Sequence, residues 1–271
     1  MNVAFQGEPG AYSEQAVLEY FGPIETMPYE TFDAVFSAVV SGKSERAMIP
    51  IENSLAGSIH ENYDLLLRHN LFITGEHLLR IRHCLIVMPG VRKSDIKKAI
   101  SHPQALGQCS GYLRQNGIRP EAVYDTAGSV KILKGSEALD TAAIASHRAA
   151  ELYGMQILEE GIEDNPENFT RFLAIGPDPI NPTGESKTSL VFSLKNQPGA
   201  LFKALSVFAL RDINLTKIES RPLAGTPWDY LFYIDFVGSE KETHVAKALD
   251  HLGEYATMLR VLGCYPRVTN M

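Results

Sequence analysis

The sequence predicts an α/β protein whose two domains follow different patterns. Up to about residue 180, short apolar runs alternate with stretches whose apolar residues recur at helical spacing. Runs such as Ala47–Ile51, Leu85–Val87 and Phe172–Ile175 are typical of strands buried on both faces between helices. This alternation predicts a first domain built on a largely parallel sheet.

The individual elements of the first domain follow from the same pattern. Predicted strands are the short apolar runs Val3–Phe5, Ala47–Ile51, Leu71–Gly75, Leu85–Val87, Ala99–Ser101, Ala143–Ala145 and Phe172–Ile175. Predicted helices are the stretches Ser13–Phe21, Glu61–His69, Gln104–Gln115 and His147–Tyr153. In the third helix, Leu106, Cys109 and Leu113 recur at helical spacing and mark one buried face.

A run rich in proline, glycine and asparagine, Gly176–Gly184, predicts a domain boundary. We place the first domain at residues 1–183 and the second at 184–271. The elements predicted after the boundary are strand Ser189–Leu194, helix Gly199–Leu210, strands Ile213–Arg221 and Trp228–Val237 forming a hairpin around Gly225, helix Glu242–Leu252 and strand Met258–Leu262. This β-α-β-β-α-β order predicts a ferredoxin-like second domain.

Composition limits the possible classes of function. The chain has 271 residues, a net charge of −7 and no cluster of lysine and arginine that would follow a nucleic-acid backbone. Its three cysteines are widely spaced and its eight histidines form no paired ligand motif, so a disulfide scaffold or metal site is not expected. No signal-like segment and no membrane-length apolar run stand out. We therefore predict a cytoplasmic, metal-free protein that binds neither nucleic acid nor membranes.

Small polar residues follow several predicted strands at the point where each strand ends. These segments are Gly7–Ser13, Glu52–Ser58, Ser101–Gln108 and Asp125–Ser129. Ligands of open α/β sheets bind at the carboxyl ends of strands, where helix N-termini offer free N–H groups to anions. The same residues also serve as helix caps and in tight turns, and that purely structural interpretation stays open for each segment. These segments therefore indicate a site for a small anion, but they do not identify a reaction.

A hydroxyl stands beside a guanidinium in the segment Asn168–Phe172. The Thr170 hydroxyl can donate a hydrogen bond to a departing oxygen, and Arg171 can hold a carboxylate through two parallel bonds. Together they suit a small acidic substrate that loses an oxygen. An alternative stays open for Arg171, which can instead pair with Glu163 or Asp164.

Six motifs, in this order, resemble those of prephenate dehydratases. Four lie in the first domain, at Gly7–Ser13, Pro50–Ser54, Ser101–Cys109 and Thr170–Phe172. Two lie in the second domain, at Pro198–Leu201 and Glu219–Pro222, and resemble the phenylalanine-binding ACT domain of the same enzymes. The resemblance spans nearly the whole chain and implies the monofunctional form, since no chorismate-mutase segment precedes Met1.

The resemblance implies the conversion of prephenate to phenylpyruvate, water and carbon dioxide in phenylalanine biosynthesis. Because aromatisation of the ring drives this elimination, no cofactor is expected. Thr170 matches the family's essential threonine, and we expect it to donate a hydrogen bond to the leaving hydroxyl. The positions expected to bind substrate are Ser13, Glu52, Asn53, Ser101, Gln108 and Arg171.

The resemblance also implies an architecture and a regulator. The catalytic domain would have two lobes like type II periplasmic binding proteins, at about 1–78 with 164–183 and at 79–163, closing on the substrate. ACT domains of this kind pair side by side, so a homodimer or homotetramer is expected. L-Phenylalanine would act there as an allosteric inhibitor, at Gly199, Ala200, Leu201, Asn214, Glu219, Ser220 and Arg221.

Two other functions remain as alternatives. Arogenate dehydratase performs the same elimination on the amino-acid analogue of prephenate, and the segment Asp125–Val130 is a candidate for contacting the group that differs. A non-catalytic protein that binds a small anion and senses an amino acid through its ACT domain is the second alternative. Retention of Thr170 together with Arg171 favours catalysis over simple binding.

Overall fold

We analysed the protein as a computed structural model, which describes residues 1–222 and 230–268. These residues form two compact units. The first unit comprises Met1–His69 and His77–Phe172. The second comprises Asn70–Glu76 and the described residues from Leu173 onward.

Strands and helices alternate through most of the described chain. The strands are β1 Asn2–Gln6, β2 Glu25–Tyr29, β3 Arg46–Asn53, β4 Gly57–Ser58, β5 Phe72–Arg80, β6 Cys84–Val87, β7 Lys98–Ser101, β8 Arg119–Ala122, β9 Thr141–Ala145, β10 Gln156–Glu160, β11 Phe169–Gly176, β12 Ser186–Leu194, β13 Leu215–Pro222, β14 Tyr230–Val237 and β15 Ala256–Pro266. The helices are α1 Tyr12–Phe21, α2 Phe32–Val40, α3 His60–Arg68, α4 Pro103–Gln108, α5 Ser110–Gln115, α6 Thr126–Ser136, α7 His147–Tyr153, α8 Ala200–Ala209 and α9 Thr243–Tyr255.

The first sheet has the strand order β2-β1-β3-β11-β5, with β4 paired to β3. Strand β1 is parallel to both β2 and β3. The late strand β11 lies between β3 and β5, so the chain leaves this sheet after β5 and returns to it with β11. Both β5 and β11 contain residues of each unit: β5 begins in the second unit and ends in the first, and β11 begins in the first and ends in the second.

The second sheet has the order β10-β6-β9-β7-β8 and belongs wholly to the first unit. Strand β7 is parallel to β8 and β9, whereas β6 is antiparallel to both β10 and β9. The prediction of a largely parallel sheet is therefore wrong for strands β10, β6 and β9, which pair antiparallel to their neighbours through β6. Apolar runs buried on both faces occur in either pairing direction, so the pattern alone did not distinguish them.

Alternate residues of the second sheet pack into two separate apolar clusters. Leu85, Ala99 and Ile144 face one cluster. Their chain neighbours Ile86 and Ile100 face the other. The two-fold alternation of a strand thus buries both faces of the sheet, which confirms the prediction of an α/β fold with two lobes.

The single helix predicted over Gln104–Gln115 is wrong, because helix α4 ends at Gln108 and α5 begins at Ser110. Asp164, far away in the chain, causes the break. Its carboxylate accepts hydrogen bonds from the backbone N–H of Gly111 at 2.8 Å and from the Ser110 hydroxyl at 3.1 Å. These bonds satisfy the free donors of a new helix start.

The second unit contains the predicted β-α-β-β-α-β arrangement, formed by β12, α8, β13, β14, α9 and β15. Its antiparallel sheet has the order β13-β14-β12-β15, and helices α8 and α9 pack on one face of it. The ferredoxin-like prediction is therefore confirmed. The predicted hairpin turn at Gly225 and the strand residue Trp228 lie outside the described residues.

An ion pair is buried inside the second unit. The Lys187 ammonium donates to both carboxylate oxygens of Glu76, at 2.8 Å each. Both side chains are almost fully buried, so removing either one would leave the other charge without compensation. Among the described residues, no helix is both long and apolar enough to cross a membrane.

We expect Gly263→Ala to destabilise the protein strongly. A Cβ atom at Gly263 would lie 2.2 Å from the carbonyl oxygen of Ile73, and backbone atoms have little freedom to move aside. The free energy of unfolding should fall by about 3 kcal/mol, as measured by denaturant unfolding.

The matched control is Gly253→Ala, because nothing lies within 4 Å of a Cβ built at that helical position. Alanine in a helix interior should leave stability unchanged or raise it by up to about 1 kcal/mol. Equal effects of the two substitutions would contradict the close approach at Gly263.

Candidate active site

A cavity of about 170 Å³ lies in the first unit. Its lining is formed by Tyr12, Pro50, Asn53, Ile59, Ile81, His83, His102, Gln104, Ala105, Gln108, Thr126, Thr170 and Phe172. The lining contains no lysine or arginine. It does include Gln104 and Thr126 near the N-termini of α4 and α6, where helices carry partial positive charge. In α4, Pro103 has no N–H and the Gln104 N–H already donates to His102 Nδ1 at 3.2 Å. The cavity thus offers neutral donors to a small anion.

Asn53, the last residue of β3, is held in one orientation. Its side-chain oxygen accepts the backbone N–H of Leu55 at 3.1 Å and of Ala56 at 2.9 Å. Because the oxygen is used in this way, the amino group must face the opposite side. There it donates to the Thr170 hydroxyl oxygen at 3.0 Å and to the Asn168 side-chain oxygen at 2.8 Å.

This geometry leaves the Thr170 proton available for a ligand. The Thr170 oxygen accepts a hydrogen bond from Asn53, so its own O–H is free to point at a partner in the cavity. Accepting a hydrogen bond also makes a hydroxyl a better donor, since hydrogen bonds in a chain polarise one another. Thr170 is therefore arranged as a hydrogen-bond donor.

The loop after β3 is tied to the start of β11 by three further bonds. The Ser54 hydroxyl donates to the Glu167 carbonyl at 2.8 Å and accepts the Phe169 N–H at 2.9 Å. The Ser54 N–H donates to the Phe169 carbonyl at 2.8 Å. These bonds fix Thr170 relative to Asn53 through the backbone as well as through side chains.

His83 connects two other residues of the lining. Its Nε2 lies 2.9 Å from the Gln108 side-chain oxygen, and its Nδ1 lies 2.9 Å from the Tyr12 hydroxyl. Burial lowers the pKa of His83, against the opposing effects of the Gln108 hydrogen bond and the Glu163 carboxylate, which favours the neutral ring. Burial also raises the pKa of Tyr12 well above its usual value, so its hydroxyl stays protonated.

Three predicted site residues, Asn53, Gln108 and Thr170, meet in the cavity lining. The other four adjoin lining residues in the chain without themselves lining the cavity: Ser13 follows Tyr12, Glu52 precedes Asn53, Ser101 precedes His102 and Arg171 follows Thr170. Within β11, Thr170 and Phe172 line the cavity, so alternation turns Arg171 to the opposite face.

Ser101 has a structural partner inside the second sheet. It is fully buried, and its hydroxyl donates to the Ile144 carbonyl at 2.7 Å. The two acidic residues proposed as alternative partners of Arg171 have other contacts. Glu163 accepts the His83 backbone N–H at 2.9 Å, and Asp164 caps α5.

Sequence reasoning missed His83. It was one of eight histidines, and nothing in its local sequence marked it. Only the fold places its ring between Tyr12 and Gln108, which come from distant segments of the chain. Tyr12, His102, Gln104 and Thr126, by contrast, all lie in segments that the sequence had marked as strand-end motifs.

Among the residues that the structure describes, one cluster of potential metal ligands lies outside this lining, at Cys84, His147 and Glu160. Register explains the cluster, because Cys84 and Glu160 are opposite each other in the β6–β10 pair. The His147 Nδ1 atom lies 2.8 Å from a Glu160 oxygen, so these two residues already bond each other. Burial raises the pKa of the Cys84 thiol to about 12, which disfavours the thiolate form that metals bind.

The fold and the cavity define an α/β protein with a two-lobed small-ligand domain and a ferredoxin-like second domain. The family model of prephenate dehydratase matches residues 3–180, and that of the ACT domain matches residues 188–254. The chain belongs to the prephenate dehydratase family, which places it among the dehydratase lyases of aromatic amino-acid biosynthesis.

Among curated proteins, the chain is similar to arogenate dehydratase/prephenate dehydratase 2, chloroplastic, of Arabidopsis thaliana. The two are 51% identical over 282 aligned residues, covering 100% of this chain and 74% of the relative. This relative contradicts the predicted cytoplasmic localisation, because it is a chloroplastic protein. That prediction was wrong since compartment addresses are read by receptors and leave no trace in the composition of a folded domain.

Two solved structures resemble this chain along almost its full length. One is prephenate dehydratase in complex with L-Phe from Arthrobacter aurescens, with a TM-score of 0.91, 33% identity, and coverage of 98% of this chain and 90% of that one. The other is GqqA, described as a novel type of quorum quenching acylase, with a TM-score of 0.93, 38% identity and 99% coverage of both chains.

We expect the cysteine thiols of the native protein to react very slowly with a disulfide reagent near neutral pH. Burial raises the pKa of Cys84 to about 12 and also raises the pKa of Cys109, so both thiols stay protonated. Cys264 is buried as well. The control is the protein unfolded in denaturant, in which all three thiols should react immediately with the reagent. A thiol that reacts rapidly in the native protein would show that one of these sites is open and activated.

Proposed function

We propose that this protein converts prephenate to phenylpyruvate, water and carbon dioxide. The observation that carries the proposal is the Asn53 amide, which donates to the Thr170 oxygen at 3.0 Å and leaves the Thr170 proton for the substrate. A hydroxyl arranged in this way suits an elimination in which an oxygen must depart. Membership of the prephenate dehydratase family supports the same reaction.

The reaction breaks two bonds of the substrate ring. The bond to the ring carboxylate breaks, carbon dioxide leaves, and the electron pair enters the ring. The bond to the ring hydroxyl breaks with its electron pair, and the departing hydroxide takes up one proton from the solvent and becomes water. Thr170 stabilises the charge that develops on this oxygen by donating a hydrogen bond. Aromatisation supplies the driving force, so we propose that no cofactor takes part.

Binding of the dianionic substrate relies mainly on neutral donors. Thr126 at the N-terminus of α6, together with Gln104 and Gln108, lines the cavity. We propose that the carboxylates of the substrate contact these groups. The residues Ser13, Glu52, Ser101 and Arg171 are proposed to support the lining residues beside them, with Arg171 able to attract a carboxylate over a longer distance.

Arogenate is the second candidate substrate, because the Arabidopsis relative carries both activities in its name. Arogenate carries an ammonium group on its side chain where prephenate has a ketone, and the two are otherwise the same. Comparison of kcat/KM for the two substrates with the purified protein tests the proposal. Turnover of prephenate, detected as phenylpyruvate absorbance, supports it; turnover of arogenate alone assigns the second activity, and turnover of neither rejects both.

The resemblance to GqqA raises acyl-amide hydrolysis as a competing reaction. Acyl transfer needs a nucleophile next to a base. Here the Thr170 hydroxyl is bonded by an amide rather than a base. The Tyr12 hydroxyl does lie beside the His83 ring, but burial raises the pKa of Tyr12 well above its usual value and disfavours the phenolate. The geometry therefore favours elimination, and hydrolysis of an acyl amide in the same assay would contradict this preference.

We further propose that phenylalanine inhibits the enzyme through the second unit. A cavity there is lined by Leu194, Lys195, Asn196, Gln197, Ala200, Leu201, Tyr230 and Phe232. It combines apolar side chains with the start of α8, where free N–H groups suit a carboxylate. The matching ACT family model and the L-Phe bound to the Arthrobacter aurescens enzyme support this assignment.

Two of the other predicted allosteric positions, Gly199 and Ser220, adjoin residues that line this cavity. Gly199 precedes α8 with a φ of 77°, and Ser220 lies opposite Phe232 in the β13–β14 pair. We propose that Asn214, Glu219 and Arg221 contribute from the same strand region, within a homodimer or homotetramer. The large exposed side chains Phe202 and Leu210 of the α8 region support such an association.

The remaining boundaries are also proposals. We place the catalytic domain at residues 1–183, with lobes at about 1–78 with 164–183 and at 79–163. The regulatory domain then occupies 184–271. The two family models, which end at residue 180 and begin at residue 188, support a boundary in this interval.

Thr170→Ala should lower turnover by at least about 100-fold, because the preorganised donor to the leaving oxygen is lost. The KM should change much less, and circular dichroism should show an intact fold. The matched control is Thr170→Ser, which keeps the hydroxyl and should retain most activity. Turnover of Thr170→Ala within about threefold of the wild type would refute the role given to this residue.

Millimolar phenylalanine should inhibit the wild-type enzyme, and Leu201→Ala should relieve the inhibition while uninhibited turnover stays nearly normal. A coupling of about 1–3 kcal/mol between the two sites is typical of such regulation. The control is Lys203→Ala, an exposed residue of the same helix outside the cavity lining. Activity that ignores phenylalanine, or equal inhibition of both variants, would disprove regulation at this cavity.

A further inference from the structure

His83 is the one buried imidazole at the centre of the cavity lining whose role the proposed reaction leaves open. Its side chain is almost completely buried, with 2% of the residue exposed. It comes from the second lobe, just before β6, and contacts Gln108 of the same lobe and Tyr12 of the first. The His83 ring thus connects lining residues from both lobes.

The bond between His83 and Gln108 determines which end of the Gln108 amide faces the cavity. Gln108 places its side-chain oxygen 2.9 Å from the Nε2 atom of His83, and in this orientation of the amide Nε2 is the atom that donates a proton. The amino group of Gln108, with two N–H donors, is then left for the cavity that Gln108 lines. An anionic ligand needs donors, and this orientation provides them.

A neutral imidazole has one donor and one acceptor, so protonation at Nε2 makes Nδ1 an acceptor. The Tyr12 hydroxyl lies 2.9 Å from Nδ1 and can supply the proton it accepts. Burial raises the pKa of Tyr12 and lowers that of His83, which keeps both groups in the neutral forms that this arrangement requires. When the Tyr12 proton is on the side of Nδ1, His83 therefore has to be in its Nε2–H tautomer.

In the opposite tautomer of His83, the donor and acceptor roles of Tyr12, His83 and Gln108 would be exchanged. The Tyr12 hydroxyl also lies 2.8 Å from the Arg82 carbonyl and can donate its proton there. His83 would then donate from Nδ1 to the Tyr12 oxygen, and Nε2 would have to accept. Gln108 could satisfy Nε2 only by rotating its amide, which would direct a carbonyl oxygen at the anionic ligand.

We propose that His83 is a positioning residue that, held by Tyr12 in its Nε2–H tautomer, turns the Gln108 amino group toward the carboxylate of the substrate. The proposal rests on the proposed function for the identity of the anion. The tautomer itself is a property of the protein and can be measured without any substrate.

Nitrogen-15 NMR of the wild-type protein with labelled histidine measures the tautomer directly. The expected result is a His83 resonance pair that shows a proton on Nε2 and none on Nδ1. Tyr12→Phe removes the donor to Nδ1 and should shift the population toward the Nδ1–H form. A dominant Nδ1–H form in the wild type, or no change in Tyr12→Phe, overturns the proposal whatever the protein catalyses.

Kinetics test the connection to Gln108. His83→Leu should lower kcat/KM by about 10–100-fold, the range for losing a hydrogen bond to a charged group. Gln108→Leu should cost a similar factor, and the double variant should fall little further, since both changes remove one donor to the same anion. His83→Gln, which keeps a side-chain N–H, should recover part of the loss.

The matched control is His147→Leu, a half-exposed histidine outside the cavity lining, which should keep wild-type kinetics. If the fall in kcat/KM of the double variant equals the product of the two single falls, with unfolding midpoints unchanged, then His83 and Gln108 act independently. That result would overturn the proposal. If no variant and no wild-type protein turns over prephenate or arogenate, the proposed function fails, while the NMR result still decides the tautomer.

Discussion

The orientation of one side-chain amide, that of Asn53, is the constraint on which the rest of the site depends. Two backbone N–H groups of the following loop hold its oxygen, so its amino group has one available direction. That direction leads to Thr170, which lies 117 positions further along the chain. The loop, the end of β3 and the start of β11 must therefore all be in place before the Thr170 proton faces the cavity. A local turn after β3 thus fixes the orientation of a hydroxyl on a distant strand.

The cavity offers dipoles rather than ions to a charged ligand. Its lining contains no lysine or arginine, and the chain carries a net charge of −7. Helix ends and amides act over short distances and depend on geometry, whereas a lysine would attract any anion from afar. A protein of this kind discriminates by shape and donor placement. Screening by salt should affect such recognition less than it affects recognition by exposed charges.

The fold was largely predictable because buried strands are apolar throughout and the second domain has a distinctive order of elements. The prediction failed where the deciding contact was remote. Strands Glu25–Tyr29 and Arg119–Ala122 lie at sheet edges and have little apolar pattern, so their pairing could not be inferred. In the site, Thr170 and Asn53 could be proposed because each lies in a short continuous motif that resembles one of the family. His83 was not, because its partners Tyr12 and Gln108 are joined to it only by tertiary structure.

The position of β11 between β3 and β5 affects how the chain acquires its structure during translation. On the ribosome, β3 and β5 emerge long before Phe169–Gly176, the strand that joins them. The nascent first lobe therefore exposes two open strand edges while the whole second lobe is being made. Such edges can pair with other chains, so prematurely terminated products are prone to aggregate. Slow elongation or a bound chaperone in this interval would influence the yield of active enzyme more than the stability of the finished fold does.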